Sequence, residues 1–150
     1  MKIKVEVGGT KNMRDGLRKF GERAGVSANR AGDIMSERLI ELIQDEIYNG
    51  PKTGRVYLRY NPRRVHQASA PGQSPANDQG TLARSFYAVQ TKLNQYAYKN
   101  TVGSDLLYAA VLQYGNAQNN LAPRPYFTTA IKRLRAEVPN IIRTAWRQTA

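Results

Sequence analysis

The chain has 150 residues and a formal net charge of +12, from 23 lysines and arginines against 11 aspartates and glutamates. This length suits one domain, and an apolar share of 41% is enough for a hydrophobic core. The absence of cysteine excludes disulfides, thiolate nucleophiles and cysteine-ligated zinc. His66 stands alone, without the second histidine of common metal sites or an adjacent carboxylate. We therefore expect no enzyme, no metal and no cofactor.

Membrane association is not expected either. No segment approaches the roughly 18 consecutive apolar residues that a membrane-spanning helix needs. Residues 1–7 alternate between charged and aliphatic side chains and lack the apolar block of a secretory signal. These patterns predict a protein that is made and kept in the cytoplasm.

The positive charge is distributed unevenly along the chain. Residues 25–50 hold five acidic and two basic side chains, whereas residues 51–66 hold five basic side chains and no acidic one. Basic segments occur on ordinary solvated surfaces, and they also occur on surfaces that face a polyanion or an acidic protein. Charge alone leaves both interpretations open.

The first third of the chain predicts a strand followed by two helices. Residues 2–7 alternate with a period of two, which is typical of a strand. A short basic helix is predicted from about residue 10 to residue 24, with Gly25 as its stop signal. A second helix is predicted over 28–48, with Ser27 as its N-cap.

The middle of the chain predicts a strand and then a long loop. Residues 54–60 alternate in polarity like a strand. Residues 61–80 contain several prolines and glycines and almost no aliphatic side chains, so they predict an extended loop. Pro71, Gly72 and Pro75 favour an extended arm. We expect this arm to be mobile in the free protein and to become ordered on a neighbouring subunit, because it buries too little apolar area to order itself.

The next elements are a predicted hairpin and a short helix. Residues 82–90 and 97–103 alternate like two antiparallel strands, and a helix over 81–90 is the alternative. A short helix is then predicted to end at Tyr114, with Gly115 as its stop.

The last part predicts an extended segment and a final helix. Residues 122–125 contain two prolines, which favour extended backbone. Apolar residues from Phe127 to Ala145 recur at helical spacing, and Pro139 inside this run predicts a kink or two helices. The predicted fold class is α+β, one domain over 1–150. In it a small antiparallel sheet packs against a long helix and a C-terminal helix, and a long extended loop completes the domain.

Two stretches of the sequence carry a resemblance to a known family. The first, residues 66–85, reads HQASAPGQSPANDQGTLARS. The second reads YAAVLQYG at residues 108–115 and continues, after a polar loop, with APRPYF at residues 122–127. In order and approximate spacing these stretches resemble the tail-completion (neck, head–tail joining) proteins of long-tailed double-stranded-DNA bacteriophages. That family shows S-A-P-G-x-x-P-A…D-T-G-x-L-x-x-S, later Y-x-x-x-x-E-[YF]-G-T, and then A-x-R-P-[FY] at the start of a final helix. The resemblance covers residues 50–131.

Three positions depart from the family pattern. Gln79 stands where the family usually has threonine, Gln113 where it often has glutamate, and Asn116 where threonine is expected. Contacts that need that carboxylate or those hydroxyls are therefore not carried over to this chain.

The resemblance implies a structural protein that catalyses no reaction. It implies a homo-oligomeric ring, a hexamer, located between the head connector and the tail tube, through which genomic DNA passes. The implied partners are copies of the chain itself, the head connector or head-completion proteins, and the tail terminator or tail tube proteins, with transient contact to DNA. The implied location is the neck of the virion, after a period in the host cytoplasm before assembly.

Candidate interaction residues come from these stretches and from the basic segment before them. The candidates for contact with another subunit or a partner protein are Ser69, Ala70, Pro71, Gly72, Pro75, Tyr114, Arg124 and Tyr126. An ion pair or backbone contact of Arg124 inside its own fold is the favoured alternative for that residue. The candidates for lining a DNA channel are Arg55, Arg59, Arg63 and Arg64, which ordinary exposed surface also explains.

Two other classes of function remain to be compared with this one. A sequence-nonspecific nucleic-acid-binding protein agrees with the net charge of +12. A metal-dependent nuclease would need a carboxylate cluster, and Asp33, Glu37 and Glu41 are spaced to share one helical face. An exposed acidic face is the favoured explanation of these three residues.

Overall fold

The computed structural model describes residues 9–60, 63–94 and 97–149 and has the expected α+β composition. The strand predicted at 2–7 lies outside the described residues. In chain order the elements are α1 (Thr10–Asn49), β1 (Val56–Tyr60), β2 (Arg63–Gln67), α2 (Thr81–Arg84), β3 (Phe86–Lys92), β4 (Tyr98–Ser104), α3 (Leu107–Tyr114), a 3-10 turn (Ala117–Asn119) and α4 (Tyr126–Gln148).

The first helix is longer than the sequence predicts. The prediction of two helices separated at Gly25 is wrong, because α1 runs unbroken for 40 residues, roughly 60 Å. Gly25 does not take the positive φ with which a glycine commonly ends a helix. Ser27 is not an N-cap but a buried residue of the helix interior. Packing against α4 outweighs the cost of about 1 kcal/mol for a glycine inside a helix.

Helix α4 lies antiparallel along α1. The Arg38 Nε atom donates to Glu137 Oε2 at 2.7 Å, and farther along the pair the rings of Phe20 and Trp146 are 5.7 Å apart. Pro139 lies inside one continuous helix, so the alternative of two helices is wrong. Pro139 and Arg135, whose carbonyl would accept from an N–H at 139, are both exposed residues of α4.

The core lies where α1, α2, α3 and α4 meet. Its buried members are Leu42, Ile43, Ile47, Leu82, Ala83, Ala109, Tyr126 and Ala130. A second, smaller cluster between α1 and α4 consists of Ala31, Ile141 and Ala145. Alanines on α4 in both clusters allow the two helix backbones to approach closely.

The strands form two separate antiparallel hairpins, β1–β2 and β3–β4. The hairpin predicted at 82–90 and 97–103 is confirmed as β3–β4. The helical alternative applies to its first residues only, where α2 spans Thr81–Arg84. The prediction that all of 61–80 is a loop is wrong at β2, which pairs with β1 in a register that places Tyr57 opposite His66.

The end of α3 follows the sequence prediction. Gly115 stops this helix with a φ of +78°, and residues 122–125 form neither helix nor strand. The prediction that 122–125 is extended is wrong at Pro125, which makes a tight turn (φ −80°, ψ 59°) in which the Tyr126 N–H donates to the Arg124 carbonyl at 2.8 Å. The Arg124 N–H donates to the Leu112 carbonyl at 2.8 Å, so this segment returns along α3 before α4 begins.

Candidate interaction surfaces

The segment 68–80 is held by its own chain. Arg124 Nη1 donates to the Ser69 carbonyl at 2.7 Å and also contacts Ser69 Oγ. The Gly72 N–H donates to the Pro123 carbonyl at 3.0 Å. The two stretches that carry the resemblance therefore lie side by side and are held together by hydrogen bonds.

Three further hydrogen bonds fix the same segment. The Gln73 side-chain oxygen accepts from the N–H groups of Ala70 and Thr53, at 2.8 and 2.9 Å. Ser74 Oγ donates to Glu46 Oε2 of α1 at 3.0 Å. The expected free arm is therefore corrected over these residues: side-chain hydrogen bonds order the segment where apolar burial is small.

The predicted contact residues divide into a buried and an exposed group. The Tyr126 side chain is 2% exposed and donates to the Ala109 carbonyl at 3.0 Å, so it belongs to the core and cannot reach a partner. Ser69 and Pro75 are also buried, and Ala70 is half-buried. Their packing and the Arg124 contact hold the chain's own fold. The exposed members are Pro71, Gly72 and Tyr114.

One face of the β1–β2 hairpin carries a cation cluster around a single carboxylate. Arg59 and Arg64 both bond to the Asp78 carboxylate, and His66 Nδ1 lies 3.9 Å from Asp78 Oδ1. The hydrogen bond from Arg64, followed by that from Arg59, lowers the pKa of Asp78. Of the four arginines proposed to line a channel, two are thus paired. Arg55 and Arg63 remain exposed, without an ion pair among the described residues.

Asp78→Asn should loosen this hairpin. The substitution removes the charge that holds Arg59 and Arg64, so we expect faster amide hydrogen exchange across β1 and β2, with α1 unchanged. Because the Asp78 pKa is lowered on folding, its contribution is present above its ordinary pKa of 3.8 and is lost as the pH falls below that value. Asp15→Asn, which removes another exposed ion pair, is the control. Unchanged exchange in the hairpin would contradict the prediction.

The opposite face of the same hairpin is exposed and largely apolar. The register places Val56, Leu58, Tyr60 and Val65 on this face, with Gln67 at one end and Arg63 at the other. Tyr60 is 81% and Val65 71% exposed. A two-stranded hairpin is marginally stable in water on its own, so an uncovered apolar face marks a surface suited to a partner.

Helix α3 presents a second apolar surface. Residues 106–123 contain no charged side chain, and within them Leu107 is 94% and Tyr114 79% exposed. Depletion of charge combined with exposed aromatic and aliphatic residues is typical of the centre of a protein–protein interface. We call this surface, made of Leu107, Ala110, Val111 and Tyr114, the α3 face.

Gln113 has a structural role that the sequence did not reveal. Its side-chain oxygen accepts from the Phe127 N–H at 2.9 Å, and its side-chain nitrogen donates to Thr128 Oγ1 at 2.6 Å. The Phe127 N–H is one of the unpaired donors in the first turn of α4. Gln113 therefore joins the end of α3 to the start of α4, at a position where the family often has glutamate.

Two of the three α1 carboxylates that a metal-dependent nuclease would need make contacts within the protein. Asp33 Oδ1 accepts from Gln90 at 2.5 Å and from Asn100 at 3.1 Å, and Glu41 accepts from Arg38 at 2.8 Å. Over the described residues, no three His, Cys, Asp or Glu side chains are grouped so that they could hold a metal ion. Within the same residues no helix is both long and apolar enough to cross a bilayer.

Comparisons with known proteins give no assignment: no family model, no curated protein and no solved structure matches this chain.

Proposed function

We propose that this chain is a structural, non-catalytic subunit of the neck of a long-tailed double-stranded-DNA bacteriophage, where copies of it form a ring. The observation that carries the proposal is the exposed apolar surface of the described residues. Leu107 is 94%, Tyr60 81%, Tyr114 79% and Val65 71% exposed, although large apolar side chains are usually buried on folding. A chain that leaves these side chains uncovered is suited to burying them against other copies.

The positions of the apolar surfaces support a ring. The α3 face and the outer face of the β1–β2 hairpin are different surfaces on different elements. A closed ring uses head-to-tail contacts, in which one surface of each subunit binds another surface of the next. Two distinct surfaces of this kind are what such a contact needs. The resemblance adds the number of subunits, six.

The proposed location is the virion neck, with the chain in the host cytoplasm before assembly. The ring would contact the head connector or head-completion proteins on one side and the tail terminator or tail tube proteins on the other. Genomic DNA would pass through the ring and contact it transiently. The predicted absence of enzymatic activity, metal and cofactor is part of the same proposal.

Deletion of the gene from the phage that encodes this chain tests the function. We expect DNA-filled heads and free tails that do not join, visible by electron microscopy, with joining restored by the protein supplied in trans. Normal infectious virions that lack the protein would overturn the proposal.

Leu107→Asp tests the α3 face as a subunit interface. A carboxylate buried in an uncharged contact should weaken subunit association at least tenfold, since interface anchor residues contribute about 2 kcal/mol or more. Leu93→Asp is the matched control, because Leu93 is also exposed but lies at the end of β3, away from α3. Both variants are measured by complementation of the deletion phage and by mass photometry on assembled necks. The assignment of the α3 face as an interface would be contradicted if both variants lost subunit association equally, or if neither variant lost it.

Sequence-nonspecific binding of nucleic acid is the second candidate function. The net charge of +12 favours it, together with four exposed cations on α4 that pair with no carboxylate of the described residues. Affinity separates the two candidates. Nanomolar binding at physiological salt would favour a dedicated binding protein, and micromolar or weaker binding would favour a neck subunit that lets DNA pass.

A further inference from the structure

The solvent-facing side of α4 carries a row of uncompensated positive charge. Its cations recur at helical spacing and are exposed: Lys132, Arg135, Arg143 and Arg147. Fifteen residues separate the first from the last, so the row is about 22 Å long. None of the four forms an ion pair with a carboxylate in the described part of the chain. We call this row the α4 stripe.

Arginines at several other places in the fold are neutralised. Arg38 bonds to Glu41 and Glu137, and Arg133 bonds to Asp45 and Glu46. The carboxylate of α4, Glu137, is turned toward α1 and its Arg38. The acidic side chains nearest to α4 therefore form ion pairs at the contact between α1 and α4. The four cations of the α4 stripe keep their full charge.

Most of the residues between the cations are small or capable of hydrogen bonding. The exposed neutral positions on this side of α4 include Thr128, Ala136, Asn140 and Thr144, and the apolar ones are Pro139 and Ile142, which is 51% exposed. Threonine and asparagine side chains bond readily to phosphate oxygens, and small residues allow a close approach. Trp146 packs instead on Phe20, with Arg23 over its ring at 4.5 Å, so it is held on the α1 side. This composition suits a phosphate backbone better than a protein interface, where aromatic anchors dominate.

A lipid surface does not fit the same helix. An amphipathic helix binds a bilayer by inserting its apolar side. The apolar side of α4 is buried against α1 and the core, through Ala130, Ile141 and Ala145. On the side that remains free for a ligand, Ile142 is the one large aliphatic side chain that is exposed among the described residues of α4, and the cations predominate.

We propose that the α4 stripe binds the phosphate backbone of double-stranded DNA without regard to sequence. A length of 22 Å spans about six phosphates along one strand. The inference rests on the charges of α4 and does not require a ring. If the chain does form a ring around DNA, this stripe, and not the hairpin with Arg55, Arg59, Arg63 and Arg64, is the surface that faces the DNA.

The test compares two variants that carry the same total charge. The α4 variant replaces Lys132, Arg135, Arg143 and Arg147 with glutamine. The control variant replaces Lys11, Lys19, Arg55 and Arg63, which are exposed on α1 and on the hairpin, with glutamine. Each variant has a net charge of 12 − 4 = +8. Binding of a random-sequence 30-base-pair duplex to the purified full-length chain is followed by fluorescence anisotropy from 50 to 200 mM salt.

We expect the α4 variant to lose at least tenfold in affinity at 50 mM salt. Its slope of log K against log salt should fall by up to about 3.6, since each phosphate contact contributes about 0.9. The control variant should change the slope by less than 1. A third variant, Arg135→Lys, Arg143→Lys and Arg147→Lys, keeps the charge and should keep the slope.

Several outcomes would overturn the inference. These are a wild-type slope below 1, an equal or larger loss in the control variant, or polyglutamate of equal length displacing the DNA at equal concentration, which would indicate an acidic protein partner. Circular dichroism checks that each variant is folded. If the glutamine variant of α4 is unfolded, the salt dependence of DNA binding by the lysine variant is used in its place. Because binding is measured on the free chain, failure of the ring proposal leaves this result unaffected.

Discussion

Gly115→Ala is expected to lower the free energy of unfolding by about 3 kcal/mol. Gly115 has φ +78° and ψ 177°, a backbone conformation that is essentially restricted to glycine. A Cβ atom here would lie 2.6 Å from the Leu121 carbonyl oxygen and 2.9 Å from the Pro123 nitrogen. Both neighbours are backbone atoms that cannot move aside without breaking the turn that leads into residues 122–125.

Gly72→Ala is the control that separates backbone strain from overlap. Gly72 also has a positive φ, +80°, but no atom lies within 4 Å of the position that its Cβ would take. The loss of unfolding free energy in Gly72→Ala should be limited to the strain of a residue with left-handed backbone, about 1–2 kcal/mol. Chemical denaturation of both variants measures the difference. Equal losses at the two glycines would show that the contacts at Gly115 are not limiting.

Short-range signals explain the parts of the fold that the sequence predicted. The hairpin β3–β4 follows from alternation of polarity, and the end of α3 follows from a single glycine that takes a left-handed φ. The absence of helix at 122–125 follows from two prolines. In each case the decisive interaction lies within a few residues along the chain, where sequence patterns carry information.

The unbroken α1 could not be predicted in this way. Gly25 is a valid stop signal locally, and Ser27 is a valid N-cap. What overrides them is α4, more than 100 residues later, which packs Ile141 and Ala145 on Ala31. Helix stability in proteins comes mainly from such tertiary packing, so a local signal loses against a distant partner.

The hairpin β1–β2 and the ordered segment after it were missed for a similar reason. Asn61-Pro62 is a dipeptide typical of turns, and it separates two five-residue runs, which was a usable signal for a hairpin. The order of 68–80, however, depends on side chains that sequence spacing cannot bring together. Asp78 is placed beside Arg59, and Arg124 is placed on Ser69.

The predicted interaction residues also depend on long-range contacts that local sequence signals do not reveal. Tyr114 is exposed as an interface residue should be, but Tyr126, from the same motif region, is in the core. An aromatic residue near a predicted interface cannot be assigned to one side or the other until the helix that carries it is placed. The α4 stripe required the same information, because its charges are uncompensated only after Glu137 is seen to face Arg38.

Tyr126→Ala is expected to lower the free energy of unfolding by about 3–5 kcal/mol, the usual range for a buried aromatic residue. The ring packs edge-on against Phe86 at a centroid distance of 5.9 Å and closes the core at the start of α4. Tyr126→Phe removes only the hydrogen bond to the Ala109 carbonyl and should cost about 1 kcal/mol. Thermal and chemical denaturation of the two variants separates packing from hydrogen bonding.

The same tyrosine makes stability depend on alkaline pH. Burial raises the pKa of the Tyr126 hydroxyl from its ordinary value of 10.0 to about 12. The unfolded chain therefore loses this proton first, so the contribution is complete below pH 10 and is lost as the pH rises toward 12. Tyr126→Phe should flatten this part of the curve, whereas Tyr60→Phe, at an exposed ring, should leave it unchanged. An unaltered alkaline curve in Tyr126→Phe would mean that water reaches this hydroxyl in the folded protein, and that the core is open where α3 meets α4.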